Sequence, residues 1–321
     1  MSLPRTVLSV TGAGVMSLVT GMAISQDFPN KPIRIVTSAP GGGNDFTARL
    51  IAQGLSGSSL GQPVVVDNRG AGVLPGMAVL QAPADGYTLM VSGSSFMIGH
   101  LLEDSPFDPE RDFTPVCLAA TTPNLVMVHP SVPVKNVKEL IDLAKRRPGE
   151  LNYSSSAAGA TQHLSAELFK SMAGVNMVRV AYKGAGPGLI GLVGGETQVM
   201  FSTAPSSAPH VKSGKVRALA VTSLKPSALA PGIPTVAATG LPGYEVISVD
   251  TVFARAKSPS ANINRLSQEI IRVLSRPDIK EKFFIAGSEV AGGSAEELGV
   301  LLRSEIAKWG KVIKEAGIRV N

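Results

Sequence analysis

A single cysteine, Cys117, stands in 321 residues. An internal disulfide is therefore impossible, as is any C-x-x-C redox or zinc motif, so neither a stapled scaffold nor a paired-thiol site is open to this chain. Cys117 lies in the apolar run 116–120 and reads as a small core side chain. Histidine is scarce too, and His100, His129, His163 and His210 lie far apart. There is no H-E-x-x-H pair and no Walker loop, which removes common signatures of zinc hydrolysis and nucleotide binding. No catalytic residue, metal or cofactor is expected. Excess charge is small as well: the formal net charge is +6, and the densest basic cluster, Lys145-Arg146-Arg147, ends a predicted helix, where cations complement the helix dipole. A nucleic-acid footprint would need a basic face or stripe, and none is visible.

The first 25 residues hold one charge, Arg5, then an apolar and small-residue stretch over 7–24 that closes on Ala23-Ile24-Ser25. This pattern predicts a secretory signal cut at a small-x-small site. A membrane anchor is the competing reading, but Thr11, Gly12, Gly14, Ser17, Thr20 and Gly21 dilute the stretch below what a spanning helix needs. No cysteine follows it, so a lipid anchor is unsupported and an exported, freely diffusing periplasmic protein is expected.

Further on, short apolar runs alternate with amphipathic segments, the mark of strands joined by crossover helices. Strands are predicted at 33–37, 64–67 and 87–92, with a helix over 45–55 whose Phe46, Leu50, Ile51 and Leu55 share a face and whose N-cap is read as Asp45. A second set begins near Leu125. It has a helix over 137–147, with Asn136 and Glu139 spaced as a capping box, and strands at 151–154, 177–182, 197–201 and 216–222 around a helix at 161–173. A Pro/Gly-rich stretch over 231–243 precedes a strand at 246–254 and helices at 262–274, 277–286 and 295–316, and the chain is expected to recross there. The expected fold class is α/β: two lobes with two hinge crossings, each lobe a doubly wound, mainly parallel sheet. After a signal peptide at 1–25, residues 26–125 and 250–321 are assigned to lobe 1 and 126–249 to lobe 2. No internal repeat is evident.

In doubly wound sheets the ligand crevice lies beyond the carboxyl ends of the strands, where helix N-termini present free N–H groups. Three strand-to-helix loops qualify. The first holds Pro40, Gly41, Gly42, Gly43, Asn44 and Asp45, with Ser38 just before it. The second holds Ser154, Ser155, Ser156, Ala158, Gly159 and Thr161, and the third Tyr182, Lys183 and Gly184. Glycine lets backbone approach an anion closely, and hydroxyls add donors. One loop in the first lobe faces two in the second, as a clamshell needs. Glycine, proline and serine also gather in turns for local reasons, so each loop alone admits a purely structural reading. His163 could touch a ligand or serve as a hydrogen-bonding group at the helix start, the second being the simpler reading; Ser92 and Ser202 complete the candidate ligand-binding set. Gly186, Gly188 and Gly191 match G-x-G-x-x-G, but Gly194-Gly195 cut the next helix short and no acidic residue stands about 20 positions on, which disfavours a dinucleotide site. Glu296 and Glu297 read as first-turn carboxylates, and Trp309, beside Ile306 and Ile313, as core.

Across nearly the whole chain after residue 27 the motifs resemble one family. They include Phe28-Pro29-Asn30-Lys31-Pro32-Ile33, Pro40-Gly41-Gly42 with Asp45 and Ala48-Arg49, and Gly61-Gln62-Pro63-Val64-Val65-Val66 with Asn68-Arg69. Asp85-Gly86-Tyr87-Thr88-Leu89, Tyr182-Lys183-Gly184, Gly214-Lys215-Val216-Arg217-Ala218-Leu219-Ala220 and Lys308-Trp309 follow in order. The chain is similar to the solute receptors of tripartite tricarboxylate transporters, the Bug receptors. That resemblance implies a class II periplasmic-binding fold, capture of a small carboxylate between the lobes largely by main-chain N–H groups and water, no cofactor, and delivery to a membrane permease by a monomeric receptor. Three positions depart from the family pattern. Ser38 replaces an aromatic before the Pro-Gly-Gly turn, Ser202 replaces an aspartate, and Ser248-Val249-Asp250-Thr251 stands where Ser-Trp-x-Gly is usual. The Ser202 departure is expected to remove a pocket carboxylate that would repel a dianion. A receptor that signals rather than transports, and an enzyme on the same fold, are the alternatives. For the enzyme only Asp45, His163, Tyr182 and Lys183 would be available, in no recognisable catalytic arrangement.

Overall fold

The computed structural model describes residues 28–57, 60–70, 72–156 and 158–318; the expected leader lies outside them. In chain order the elements up to the first crossing are β1 (Ile33–Thr37), α1 (Gly43–Ser56), β2 (Val64–Asn68), α2 (Leu74–Leu80), β3 (Thr88–Gly93), α3 (Ser94–Ile98) and α4 (Pro109–Asp112). Next comes β4 (Phe113–Val128), and then α5 (Val137–Arg146), β5 (Asn152–Ser155), α6 (Thr161–Ala173), β6 (Val178–Ala181), α7 (Ala185–Val193), β7 (Val199–Thr203), α8 (Ala204–Lys212), β8 (Arg217–Val221) and α9 (Val236–Thr239). The chain returns through β9 (Ile247–Arg255) and ends in α10 (Ser260–Leu274), α11 (Pro277–Ile285), β10 (Glu289–Gly293) and α12 (Ala295–Ala316).

Each lobe is built on three parallel strands, β2-β1-β3 in lobe 1 and β6-β5-β7 in lobe 2. Ile33 and Ile35 of β1, fully buried, meet Leu50, Ile51 and Leu55 on the apolar face of α1, as the helical spacing predicts. Lobe 2 centres on Tyr153, Phe169, Phe201 and Tyr244. The two lobes share β4. From Phe113 to Pro123 this strand pairs with β9, and β10 lies along its other side; from Asn124 to Val128 it pairs with β7 and β8. A returning strand must run against the one that left, so the crossings add antiparallel pairs to the parallel trios and the whole sheet is mixed.

Strand directions then fix where the loops point. β3 is antiparallel to β9 and β9 to β4, so the lobe 1 trio runs with β4, whereas β7 opposes β4 and the lobe 2 trio runs against it. The carboxyl ends of both trios therefore meet at the junction. Thr222 ties the two crossings together there. Its buried hydroxyl accepts the Asn124 N–H (2.9 Å) and donates to the Val246 carbonyl (2.5 Å), while its own N–H donates to the Asn124 carbonyl (2.9 Å). α12 spans the junction behind these strands, packing on β4, α3 and α6, with Trp309 buried and the Lys308 Nζ donating to the Glu245 carbonyl at 3.1 Å.

Helix ends follow the sequence with two corrections. Ser294 and Glu297 form a full capping box on α12, but on α5 Asn136 caps alone, because Glu139 accepts the N–H of Lys135 instead of that of Asn136. Asp45 is not the N-cap of α1. The helix starts at Gly43 with Gly42 as cap, because Gly41, at a φ of 84°, turns the chain two residues earlier. From inside the first turn Asp45 reaches back to the Gly41 N–H.

Gly54 of α1 faces α10 so closely that an added Cβ would fall 2.1 Å from Cγ1 of Val273. Helix propensity favours alanine over glycine by about 1 kcal/mol, but overpacking costs about 1–3 kcal/mol and a β-branched neighbour cannot swing aside. Gly54→Ala is expected to lower the unfolding free energy by about 1–2 kcal/mol in a urea titration. A gain in stability would contradict the α1–α10 contact.

Candidate functional site

Two adjoining cavities, of about 440 and 390 Å³, lie in the junction and share Asn44, Gly93, Ser95, Gly159 and Ala160. Three helices of nine residues or more begin on their walls: α1 at Gly43-Asn44, α6 at Thr161 and α8 just after Thr203. None of the three has a side-chain cap, Gly42, Ala160 and Thr203 being the cap residues. First-turn N–H groups at helix starts are the natural partners of an anion, and the helix dipole adds to the attraction.

Of the expected site residues, Ser38, Asn44, Ser92, Ala158, Gly159 and Thr161 line these cavities. Pro40, Gly41, Gly42 and Gly43 form the exposed turn into α1. Asp45 is buried behind that turn. Burial alone would raise its carboxyl, but hydrogen bonds from Arg49 Nε (3.1 Å), the Gly41 N–H (2.9 Å) and Asn68 Nδ2 (2.8 Å) outweigh this and hold it down at about 2. Asn68 also donates to the Ser38 carbonyl at 2.6 Å. Asp45 is thus a clamp on the glycine turn.

The second loop is clamped in the same manner. Arg179 donates from Nε to Ser155 Oγ and through its other nitrogen to the Ser156 carbonyl, both at 2.7 Å, and Ser156 Oγ donates to Gln162. His163 is buried in the first turn of α6, where Nδ1 accepts the Gly159 N–H at 3.1 Å. Burial first, and then the Arg179 cation, lower its pKa to about 4, so the ring is neutral at pH 7. Ser154 is fully buried.

The third loop does not join them: Tyr182, Lys183 and Gly184 line neither cavity. The Tyr182 hydroxyl donates to Glu196 (2.9 Å), and its ring covers Gly191, where a Cβ would meet the phenol oxygen at 2.3 Å. Gly188 likewise packs against Ser154, Tyr182 and Met200, so the G-x-G-x-x-G spacing serves helix-on-strand packing. Ser202 is fully buried in β7 with its hydroxyl 3.2 Å from that of Ser206, and the cavity is lined by the next residue, Thr203. Ser202 is therefore poorly placed to tune repulsion in the cleft.

Sequence reading misses the start of α3, where Gly93, Ser95, Phe96 and His100 form much of the larger cavity, and Ser248 and Asp250 of the returning chain, which floor the smaller one. The run Ser92-Gly93-Ser94-Ser95 directly after a predicted strand was the available signal for α3.

Two α/β lobes joined by crossing strands, with uncapped helix starts around the junction, define the solute-binding class of two-lobed receptors. The sequence model described as "Tripartite tricarboxylate transporter family receptor" matches residues 47–318, and the chain belongs to that family. Protein BugT of Bordetella pertussis (strain Tohama I) is 32% identical over 320 residues, 98% of each chain. The solved structure "R. palustris Rpa4515 with adipate" is 38% identical, with a TM-score of 0.71 over 91% of this chain and 99% of that one. "MatC (Rpa3494) from Rhodopseudomonas palustris with bound malate" is 27% identical, with a TM-score of 0.68 over 89% and 100%. Among the described residues no helix is long and apolar enough to cross a membrane.

The neutral His163 yields a prediction. Its folded pKa, about 4, lies below the ordinary 6.5. As pH falls the unfolded chain therefore takes up this proton first, and stability is lost between those values at up to ~1.4 kcal/mol per pH unit. In His163→Asn, whose Oδ1 can accept from Gly159, that loss is absent. Between pH 7 and pH 4.5 wild type should lose about 2 kcal/mol more than the variant in denaturant titrations. Parallel curves would contradict a buried neutral ring.

Proposed function

We propose that this solute-binding receptor is exported to the periplasm, closes its lobes on a small carboxylate and delivers it to a membrane permease of the tripartite tricarboxylate type. The observation that carries the reading is the convergence of three uncapped helix starts, from both lobes, on one polar junction. Donors split between two bodies make closure the favoured response to a ligand. Only the closed form lets both lobes contact the anion, so binding shifts the population toward it. Family membership and the adipate and malate bound by two similar proteins support a carboxylate as the solute. For an enzyme, the cleft would need a nucleophile with a base oriented on it. The nearest histidine to the α6 start is instead committed to the Gly159 N–H.

A thermal-shift screen of refolded, ligand-stripped protein against mono-, di- and tricarboxylates and amino acids tests this. A true ligand at 100 times its Kd should add about 2.7 kcal/mol of stability and be recovered unchanged. Stabilisation by no carboxylate, or chemical conversion of the bound compound, would overturn the reading.

A further inference from the structure

We infer that the solute of this receptor carries an ammonium group beside its carboxylate, and that Asp250 is the residue that reads it. This deepens the carboxylate-receptor reading above and rests on it.

Asp250 lies in β9 at the floor of the junction, paired in register with Gly93 of β3 and Ala120 of β4, and its side chain faces the start of α1. Thr47 Oγ1 donates to Oδ2 at 2.6 Å. The other oxygen is fixed by a short chain of necessity. The Gly93 N–H can only donate, so the Asn44 amide turns its oxygen to it (3.2 Å), and the Asn44 nitrogen then donates to Asp250 Oδ1 at 2.9 Å. Both carboxylate oxygens are held as acceptors, which suits the ionised form, and each keeps a further lone pair for a donor in the cavity.

The charge balance of the cleft points the same way. Among the described residues neither cavity is lined by a lysine or an arginine; the charged wall residues are Asp250 and Glu103, and His100 also lines the larger cavity. A carboxylate seated at the starts of α6 and α8 finds N–H donors there. A second anionic group placed on the lobe 1 floor would face Asp250 with no basic side chain to offset it. A protonated amine in that place supplies the missing donors and the missing positive charge. Burial pushes the Asp250 carboxyl above its ordinary range, and an adjoining ammonium offsets that cost. Residue 250 falls at the open position of the family's Ser-Trp-x-Gly pattern, so the sequence alone gives it no weight, and the structure places its acid on the cleft wall.

Matched pairs test the inference by titration calorimetry at pH 7.5: succinate against aspartate, glutarate against glutamate, and adipate against 2-aminoadipate, on wild type and on Asp250→Asn. At least one amine-bearing acid should bind wild type at least tenfold more tightly than its plain partner. In Asp250→Asn that ratio should fall by at least tenfold or reverse, as the amine loses its partner and the plain diacid loses a repelling charge. A wild type that prefers every plain diacid overturns the assignment without any variant. A ratio unchanged in a variant with wild-type melting behaviour overturns it too. In either case binding of plain diacids leaves the receptor reading intact; binding of no carboxylate at all brings down both.

Discussion

One strand that belongs to two sheets is the constraint on which this molecule depends. β4 cannot be divided: its first half is bonded to β9 and β10 and its second to β7 and β8. Its direction therefore sets the direction of every parallel strand on either side, and brings both sets of carboxyl ends to a common junction. The Thr222 hydroxyl joins this strand to the returning chain at Val246, so the crossings move as one narrow unit. A hinge of two strands is soft to rotation and stiff to stretching, the mechanical condition for a clamshell.

The proposed carboxylate site has no lysine or arginine among its described lining residues. Backbone N–H groups at α1, α6 and α8 are neutral donors already fixed by their helices, so little ordering accompanies binding, and hydrogen bonds to an ionised partner are about twice as strong as neutral ones. The charged and titratable groups nearby act at one remove. Asp45 braces the glycine turn of α1, while Arg179 and the neutral His163 brace the loop into α6. Asp250 and Glu103 are the exceptions, acids on the cavity walls themselves.

Most of the fold is legible in the sequence because most elements obey a single period. The β1 and β3 strands are short apolar runs, and α6 and α12 carry clear helical faces with the expected ends at Thr161–Ala173 and Ala295–Ala316. β4 is not legible, since Pro115 and Pro123 read as strand breakers. The sheet tolerates Pro115 through the register shift beside it, and Pro123 stands where pairing passes from β9 to β7. α8 hides behind Pro205 and Pro209, and β10 behind Gly292 and Gly293. Within the site, loops that follow a strand and open a helix stand out, which is why Asn44 and Gly159 are found and the start of α3 could have been. Asp250 sits inside a strand, and only the pairing of β9 with β3 shows that its side chain meets Thr47 and Asn44 and not the opposite face.

The central claim is closure of the two lobes about the β4–β9 crossings when a carboxylate binds. Small-angle X-ray scattering of the purified protein, with and without a saturating carboxylate shown to bind by calorimetry, tests it most directly. The radius of gyration should fall on binding, with the change abolished when a disulfide engineered across the cleft holds the lobes together. Saturated binding with an unchanged scattering curve in the unrestrained protein would contradict the account.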